Sequence, residues 1–526
     1  MKVFIPTAGV GSRLGELTKY FNKAMIPIGE KPVISLIVEI YPLDTEFVIA
    51  LGYQGDYIKQ FLKLAYPEKN FDFVKINKYK GSDSGLGYTL KQCRKFFDQP
   101  FFFHANDTII DNKFINNDFS NSTLLLKKGS SNPKIYRTAS ITQGKKIKKI
   151  FDKTEKELKK VYDYVGVAYI KDYQKFNRFL DKIDVQIGES DFFMKNPQVD
   201  LDAYFVDYWY DIGNIDQLRL AQKKLGKLLN LDKPNEAVYF INSRVVKFST
   251  DKKFIKNRVK RANLLEGVVP KIVDSADNFY VYNYVPGELL AKEINASSDL
   301  KRFLLWAQNS IWKRIELKPK EQSEFENCCF NFYYEKTLDR LNLFYDRYNF
   351  KEKNQTINKV KVPSLNKLIN EIEWSSIKQG ASVLFHGDLH FENILKTDSA
   401  FTLLDWRQSF DGQVKYGDIY YDLAKLLHGF MVNHQIIKDD NYWIKLNKDK
   451  SLVEYDFYRK NDLLECEKIL KEFVGVNGYD WDRVLILTAL IFLNIAGLHH
   501  SPYAHFLYHL GKSMLFKKLE EINDKG

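Results

Sequence analysis

"TAGVGSRLGELTKYFNKAMIPIGEKPVI", residues 7–34, follows the apolar run "KVFIP" and reads as a strand, a glycine turn and then a pair of basic residues. Ala8, Gly9 and Gly11 would let backbone N–H groups approach phosphate oxygens, and a helix start behind the turn would favour negative charge there. Arg13 and Lys23 would neutralise a triphosphate and a departing pyrophosphate. An ordinary tight turn between strand and helix uses the same glycines, so the stretch gains meaning only in combination with motifs further along the chain.

Working outward, residues 1 to about 225 alternate short β-rich runs with helical patterns. "KVFIP", "EFVIALG", "FDFVKI" and "PFFFHAND" read as buried strands, and segments such as "GDYIKQFLKLA" as the helices between them. Such alternation implies a mostly parallel sheet covered by helices on both faces. A polar, proline-containing stretch, "LDKPNEA", marks a boundary near residue 232, dividing the chain into residues 1–231 and 232–526. Beyond it, "AVYFINSRVVKFS" and "NFYVYNYV" read as antiparallel strands flanking a basic helix, "KFIKNRVKRANLL". From about residue 291 to 526 the pattern is mostly helical, and the polar segment 349–364 reads as a mobile surface loop.

At 526 residues the chain exceeds one ordinary domain, and 45% hydrophobic residues suffice for buried cores. Four cysteines (Cys93, Cys328, Cys329, Cys466), none in a paired metal spacing, point to a reducing, cytoplasmic setting. The N-terminus reads as a first strand and not as a secretion signal. "VLILTALIFLNIAGL", residues 484–498, is shorter than a membrane span and reads as a core helix. A net charge of +12 raises nucleic-acid binding, but the lysines are scattered and form no basic arm. His499, His500, His505 and His509 have no acidic residue among them and read as packing residues before metal ligands.

The N-terminal motifs, in their order, resemble those of the sugar-phosphate nucleotidyltransferase family over residues 1 to about 222. The glycine loop with Arg13, then Lys23 before an apolar-Pro pair, matches that family's opening motif. "SDSGLGYTL" resembles its base-recognition turn, which implies nucleotide contacts at Ser84 and Gly85. "HANDTII" and "YWYDIGN" imply that Asp107 and Asp211 bind magnesium, and "IFDKT" and "YDYVGVAYI" imply that Lys153 and Gly166 face the acceptor. The implied fold is a Rossmann-like α/β domain with a mixed, mostly parallel sheet. Two carboxylates with magnesium, and two cations, would screen the repulsion between an acceptor phosphate and the α-phosphate it attacks.

A second motif lies at residues 383–395, "VLFHGDLHFENIL", followed by "FTLLDW" and "YGDIYYDLAKLL". These resemble the aminoglycoside phosphotransferase and choline kinase family, whose α+β fold is protein-kinase-like. The resemblance implies that Asp388 orients or deprotonates an acceptor hydroxyl, and that Asn393 and Asp405 hold magnesium on ATP. Asp418 and Asp422 would hold the loop. "VYNYVPGELL" resembles the hinge, placing adenine near Asn283 to Val285, within a small lobe of residues 232–290. Lys247 in "RVVKFS" would reach the phosphates, yet the helix after it has no acidic residue to pair with it; Glu266 comes just beyond.

A kinase makes a phosphate ester and a nucleotidyltransferase consumes one. The expectation is a bifunctional enzyme that phosphorylates a sugar with ATP, then uses a second nucleoside triphosphate to form a nucleotide-sugar for bacterial surface glycans. Choline, ethanolamine or another small alcohol with CTP is the alternative, since aromatic stretches such as "AYFVDYWY" would cage an ammonium. An antibiotic-modifying kinase with a nucleotide-binding appendage, and a noncatalytic scaffold, are further readings. No nucleic-acid partner and no membrane span are expected.

Overall fold

The structure, a computed structural model, describes residues 1–524 apart from 130, 227–233, 293–295 and 399. It divides into two compact units, Met1–Ile255 with Val273–Tyr284, and Lys256–Ile272 with Val285–Gly526. The boundary expected at 231/232 falls outside the described residues.

The first unit is built on a nine-stranded mixed sheet. Lys2–Pro6 lies in its middle, parallel to Glu46–Leu51 on one side and to Phe101–His104 on the other. Asn70–Lys75 extends the parallel set, whereas the long strand Val161–Ile170 runs antiparallel to Phe101–His104. Because side chains alternate across a strand, Val3 and Ile5 enter one apolar cluster while Phe4 enters another on the opposite face. The helix Gly55–Ala65 packs Ile58, Phe61 and Leu62 into the first cluster, and Leu86–Cys93 packs Leu90 and Cys93 into the second.

An antiparallel sheet of Glu236–Ile241, Arg244–Ser249, Phe279–Asn283 and Ile272–Ala276 comes next. Its Tyr239, Ile241, Val246, Phe248, Phe279 and Val281 join the apolar cluster of Val3 and Phe61. The Tyr239 hydroxyl donates to the Met25 carbonyl at 2.8 Å, and Arg244 donates to Leu64 O at 3.1 Å. The chain leaves this unit within the basic helix Lys252–Leu264.

The second unit is mainly helical, with Trp481–Ala496 at its centre. Its run from Ile486 to Leu493 is buried at every position, as an apolar core helix requires, and among the described residues no helix is long and apolar enough to cross a membrane. The segment 349–364 differs from its reading as a mobile loop: Gln355–Ile357 and Val360–Val362 are paired strands, and Gln355–Ile357 also pairs with Leu452–Phe457. Its polar composition hid two anchors. Ile357 and Val362 point inward, and the buried Lys512 ammonium binds Glu352 Oε1 at 2.6 Å and Gln355 Oε1 at 2.8 Å.

Candidate active sites

In the first unit the glycine turn is held from behind by Asn22. This fully buried side chain donates to the carbonyls of Thr7 (2.9 Å) and Tyr53 (2.6 Å), and accepts from Ala24 N at 2.9 Å. It thereby fixes the backbone that presents Lys23, whose Nζ meets Asp107 Oδ2 at 2.7 Å. Gly11 is left-handed (φ +69°), and a Cβ there would press on Thr18 and Lys23 at 3.1 and 3.3 Å. The expected helix start is instead a seven-residue 3-10 segment, Ser12–Thr18, broken at Gly15 (φ 56°, ψ −128°). A kinked 3-10 turn has no aligned peptide stack, so side-chain cations carry the positive charge here.

Asp107 follows the strand Phe101–His104 and Asp211 ends the strand Trp209–Asp211; the ladder between Thr108–Ile110 and Trp209–Asp211 sets Thr108 opposite Asp211. Burial opposes ionisation of Asp107, but Lys23 and then Arg13 outweigh it and hold the carboxyl below the usual range. Asp211 accepts from Gly213 N at 2.7 Å and from the Tyr136 hydroxyl at 3.1 Å. Gly166 is left-handed (φ +83°) where the pairing of Val161–Ile170 shifts register, which turns the strand beside the site.

A cavity of about 220 Å³ gathers Arg13, Asp107, Lys153, Gly166 and Asp211. Ala8, Gly9, Gly11, Ser84 and Gly85 are not among its lining residues. Ser84 and Gly85 instead precede the helix Leu86–Cys93, and a Cβ on Gly85 would stand 2.1 Å from the Val185 carbonyl. The cavity also holds Trp209, from the aromatic stretch "AYFVDYWY", and two residues that sequence reading missed, Tyr136 and Arg137. Arg137 binds Asp191 at 2.9 Å and Asp152 at 3.1 Å, next to Lys153, and the rings of Tyr136 and Trp209 meet edge to face at 4.6 Å. Tyr136 and Arg137 lie in no motif that would have marked them.

In the second unit, Ser382–Val383 pairs with Gly417–Asp418 and feeds the loop that bears Asp388. Asp422 is fully buried and accepts from His386 N (2.7 Å), Gly387 N (2.6 Å) and Trp312 Nε1 (3.1 Å). Asp418 accepts from Ala381 N at 2.9 Å and the Tyr333 hydroxyl at 2.9 Å, and pairs with Arg483 at 3.1 Å. Together they fix the entry to the loop. Asp388 Oδ1 lies 2.9 Å from Lys425 Nζ; burial resists its charge, but Lys425 and His390 keep it well below the usual carboxylate range. His390 also pairs with Glu392 at 2.8 Å; burial opposes its charge too, but Asp388 and Glu392 raise it to about 9.

Asn393 Nδ2 donates to the Asp388 carbonyl at 2.8 Å, which leaves its side-chain oxygen for a ligand. Ile394–Lys396 pairs with Phe401–Leu403, and Leu404 N donates to Asn393 O at 2.8 Å, so Asp405 sits one residue beyond Asn393's partner. Asp405 itself is left-handed (φ +55°), in the bend just after the strand Phe401–Leu403.

Lys247 and Asn283 belong to the first unit, Val285 to the second. Lys247 stands opposite Val238 and Tyr280 in its sheet. Glu266 is exposed. The basic helix contributes arginines where an acid was sought. Arg261, fully buried, donates to the carbonyls of Phe385, Arg407 (3.3 Å) and Val414 (3.1 Å), and Trp406 Nε1 donates to Arg258 O at 2.9 Å. His505 and His509 are packed inside the helix Tyr503–Asn523, with His509 facing Gln355 at 3.1 Å. Among the described residues no group of three or more His, Cys, Asp or Glu is arranged to hold a metal.

Residues 257–449 match the model of the phosphotransferase enzyme family. A D-glycero-alpha-D-manno-heptose 1-phosphate guanylyltransferase of Campylobacter jejuni is 30% identical over 115 residues, 21% of this chain and 49% of that protein. Glucose-1-phosphate cytidylyltransferase of Salmonella typhimurium is 38% identical over 63 residues, 12% of this chain and 24% of that protein. The chain thus spans between about a quarter and a half of the length of these relatives. A CTP:phosphocholine cytidylyltransferase of Streptococcus pneumoniae superposes with a TM-score of 0.35 at 22% identity, covering 42% of this chain and 97% of that one. The chain therefore carries a C-terminal domain of the phosphotransferase enzyme family behind an N-terminal region similar to sugar-phosphate nucleotidyltransferases.

Proposed function

We propose that the protein is a bifunctional transferase that phosphorylates a sugar hydroxyl with ATP and joins the resulting sugar phosphate to a nucleoside monophosphate. The observation that carries this reading is the cavity that gathers Arg13, Asp107, Lys153 and Asp211 on a chain that also carries Asp388 in a buried, braced loop. At the Asp388 site the acceptor oxygen attacks the γ-phosphorus, the bond to the β–γ bridging oxygen breaks, and the hydroxyl proton passes to Asp388. At the Asp107 site an acceptor phosphate oxygen attacks the α-phosphorus of the second nucleotide and pyrophosphate leaves. That acceptor is already ionised, so no general base is required.

Oxygen donors suit magnesium, which binds through one or two carboxylates and substrate phosphates more often than in an all-protein cage. Asp107 and Asp211 line one cavity, and Asn393 keeps an uncommitted amide oxygen beside Asp405's strand, so both sets fit the ion. Bound there, it would neutralise phosphate charge. Lys23 and Arg13 would hold the leaving pyrophosphate, and Lys153 and Gly166 would face the acceptor. Ser84 and Gly85 would read the base, and Lys247, Asn283 and Val285 would serve ATP. The products would feed surface-glycan synthesis in the cytoplasm of a bacterium.

A second reading, a phosphorylated small alcohol activated with CTP, draws on the Tyr136–Trp209 aromatic pair in the cavity. A pyrophosphate-release screen of four nucleoside triphosphates against sugar 1-phosphates, phosphocholine and phosphoethanolamine separates the two. Turnover of a sugar phosphate supports the first reading, turnover of a phosphoalcohol alone supports the second, and turnover of none sinks both.

A further inference from the structure

Near Lys425, which binds Asp388, the second unit gathers two further cations, Lys336 and Arg407, around one aromatic ring. The helical path through Asn331–Glu335 widens into a π-turn, which sets the buried Phe332 ring next to Tyr421 at 4.8 Å. Lys336 Nζ sits 3.9 Å from the centre of the Phe332 ring, and the Arg407 guanidinium lies 4.8 Å from the same ring. One turn of helix beyond Tyr421 is Lys425, already bound to Asp388. The Lys336 ammonium forms no ion pair or hydrogen bond among the described residues, and Arg407 donates its Nε only to the Ser409 carbonyl at 3.0 Å. Desolvation first, then Arg407, Arg340 and Lys425, push the Lys336 ammonium well below its ordinary range, against the pull of Asp388.

Such an arrangement is costly unless something anionic completes it, because like charges gathered off bulk water repel one another. A cationic acceptor would meet the same repulsion. Resting on the kinase reading above, we propose that the hydroxyl acceptor at Asp388 carries an acidic group, a carboxylate or a phosphate ester, which is held by Lys336 and Arg407 beside the Phe332 ring. The Phe332 ring, stacked on Phe410 at 4.3 Å, backs the two cations that take the acceptor's charge. Choline and ethanolamine are thereby disfavoured as kinase substrates.

The test is protection of Lys336 from an amine-reactive acylating reagent, read by peptide mass spectrometry on the full-length protein. ADP and magnesium are present at saturation, so the nucleotide's own phosphates are already placed. Inorganic phosphate, glucose 6-phosphate, glucuronate, glucose and choline are the probes. Protection by at least one anionic probe, and by neither glucose nor choline, supports the proposal; which anion protects best tells phosphate from carboxylate. Arg407→Gln should raise the half-protecting concentration at least tenfold. Equal protection by glucose or choline, or none from any probe, overturns it. The readout needs no turnover, so an absence of ADP formation with every acceptor would defeat the kinase reading separately.

Discussion

Lys23 and Asp107 neutralise each other in the first unit at 2.7 Å, and Asp107 also feels the charge of Arg13. Asp107→Ala would free two cations and remove one of the two carboxylates that fit a metal. It should abolish nucleotidyl transfer while ATP-dependent phosphorylation persists, measured as pyrophosphate and ADP release on one preparation; loss of both in a folded variant would contradict separate sites. Nearby, His104 is fully buried between the Tyr41 hydroxyl (2.8 Å) and the Thr108 carbonyl (3.0 Å). Burial lowers its pKa from 6.5 to about 4. The unfolded chain therefore binds a proton below pH ~6.5 that the fold refuses until pH ~4, so stability is full at neutral pH and falls across that window. The loss should reach roughly 3 kcal/mol, at 1.36 kcal/mol per unit. The urea midpoint of His104→Gln should be less dependent on pH than that of the wild type between pH 4 and 6.5.

Among elements, the strands Lys2–Pro6, Glu46–Leu51, Asn70–Lys75 and Phe101–His104 were legible because each is a short apolar run bounded by turn residues, and the core helix 484–498 because nearly every position is apolar. The strands at Gln355–Ile357 and Val360–Val362 were not, since their burial depends on Lys512 and Glu352, distant in sequence. Asp388, Asn393 and Asp405 could be named because one motif and a neighbouring strand bring them together; Tyr136 and Arg137 reach their cavity from a polar segment without a motif. The acid-free helix Lys252–Leu264 is a similar case. Its buried Arg261, with pKa pushed down to about 9 by burial, caps three carbonyls around the loop that bears Asp388. Arg261→Leu would leave those acceptors unpaired at about 1–3 kcal/mol each where buried. Its phosphorylation rate should fall at least tenfold, with nucleotidyl transfer kept; an unchanged rate would show that the arginine only fills space.

For the whole molecule, the chemistry imposes a direction. On the proposed reading, the ester installed at Asp388 would be the nucleophile required beside Asp107 and Asp211, and one chain would supply both activities in equal amounts. With free acceptor, ATP and the appropriate second triphosphate, the wild-type protein should release pyrophosphate. Asp388→Ala removes the group that orients the hydroxyl, a contribution of roughly 10² to 10⁴ in rate. It should release pyrophosphate at the wild-type rate only when the phosphorylated acceptor is added from outside. The acidic acceptor inferred from Lys336 and Arg407 makes a further demand on this sequence of reactions. The intermediate would carry two anionic groups, and the first unit would have to accept both, with Lys153, Arg13 and Arg137 as the cations around its cavity. If the C-terminal unit's own product never serves as substrate for the N-terminal unit, the sequential scheme fails, and the two activities share a chain for some reason other than consecutive chemistry.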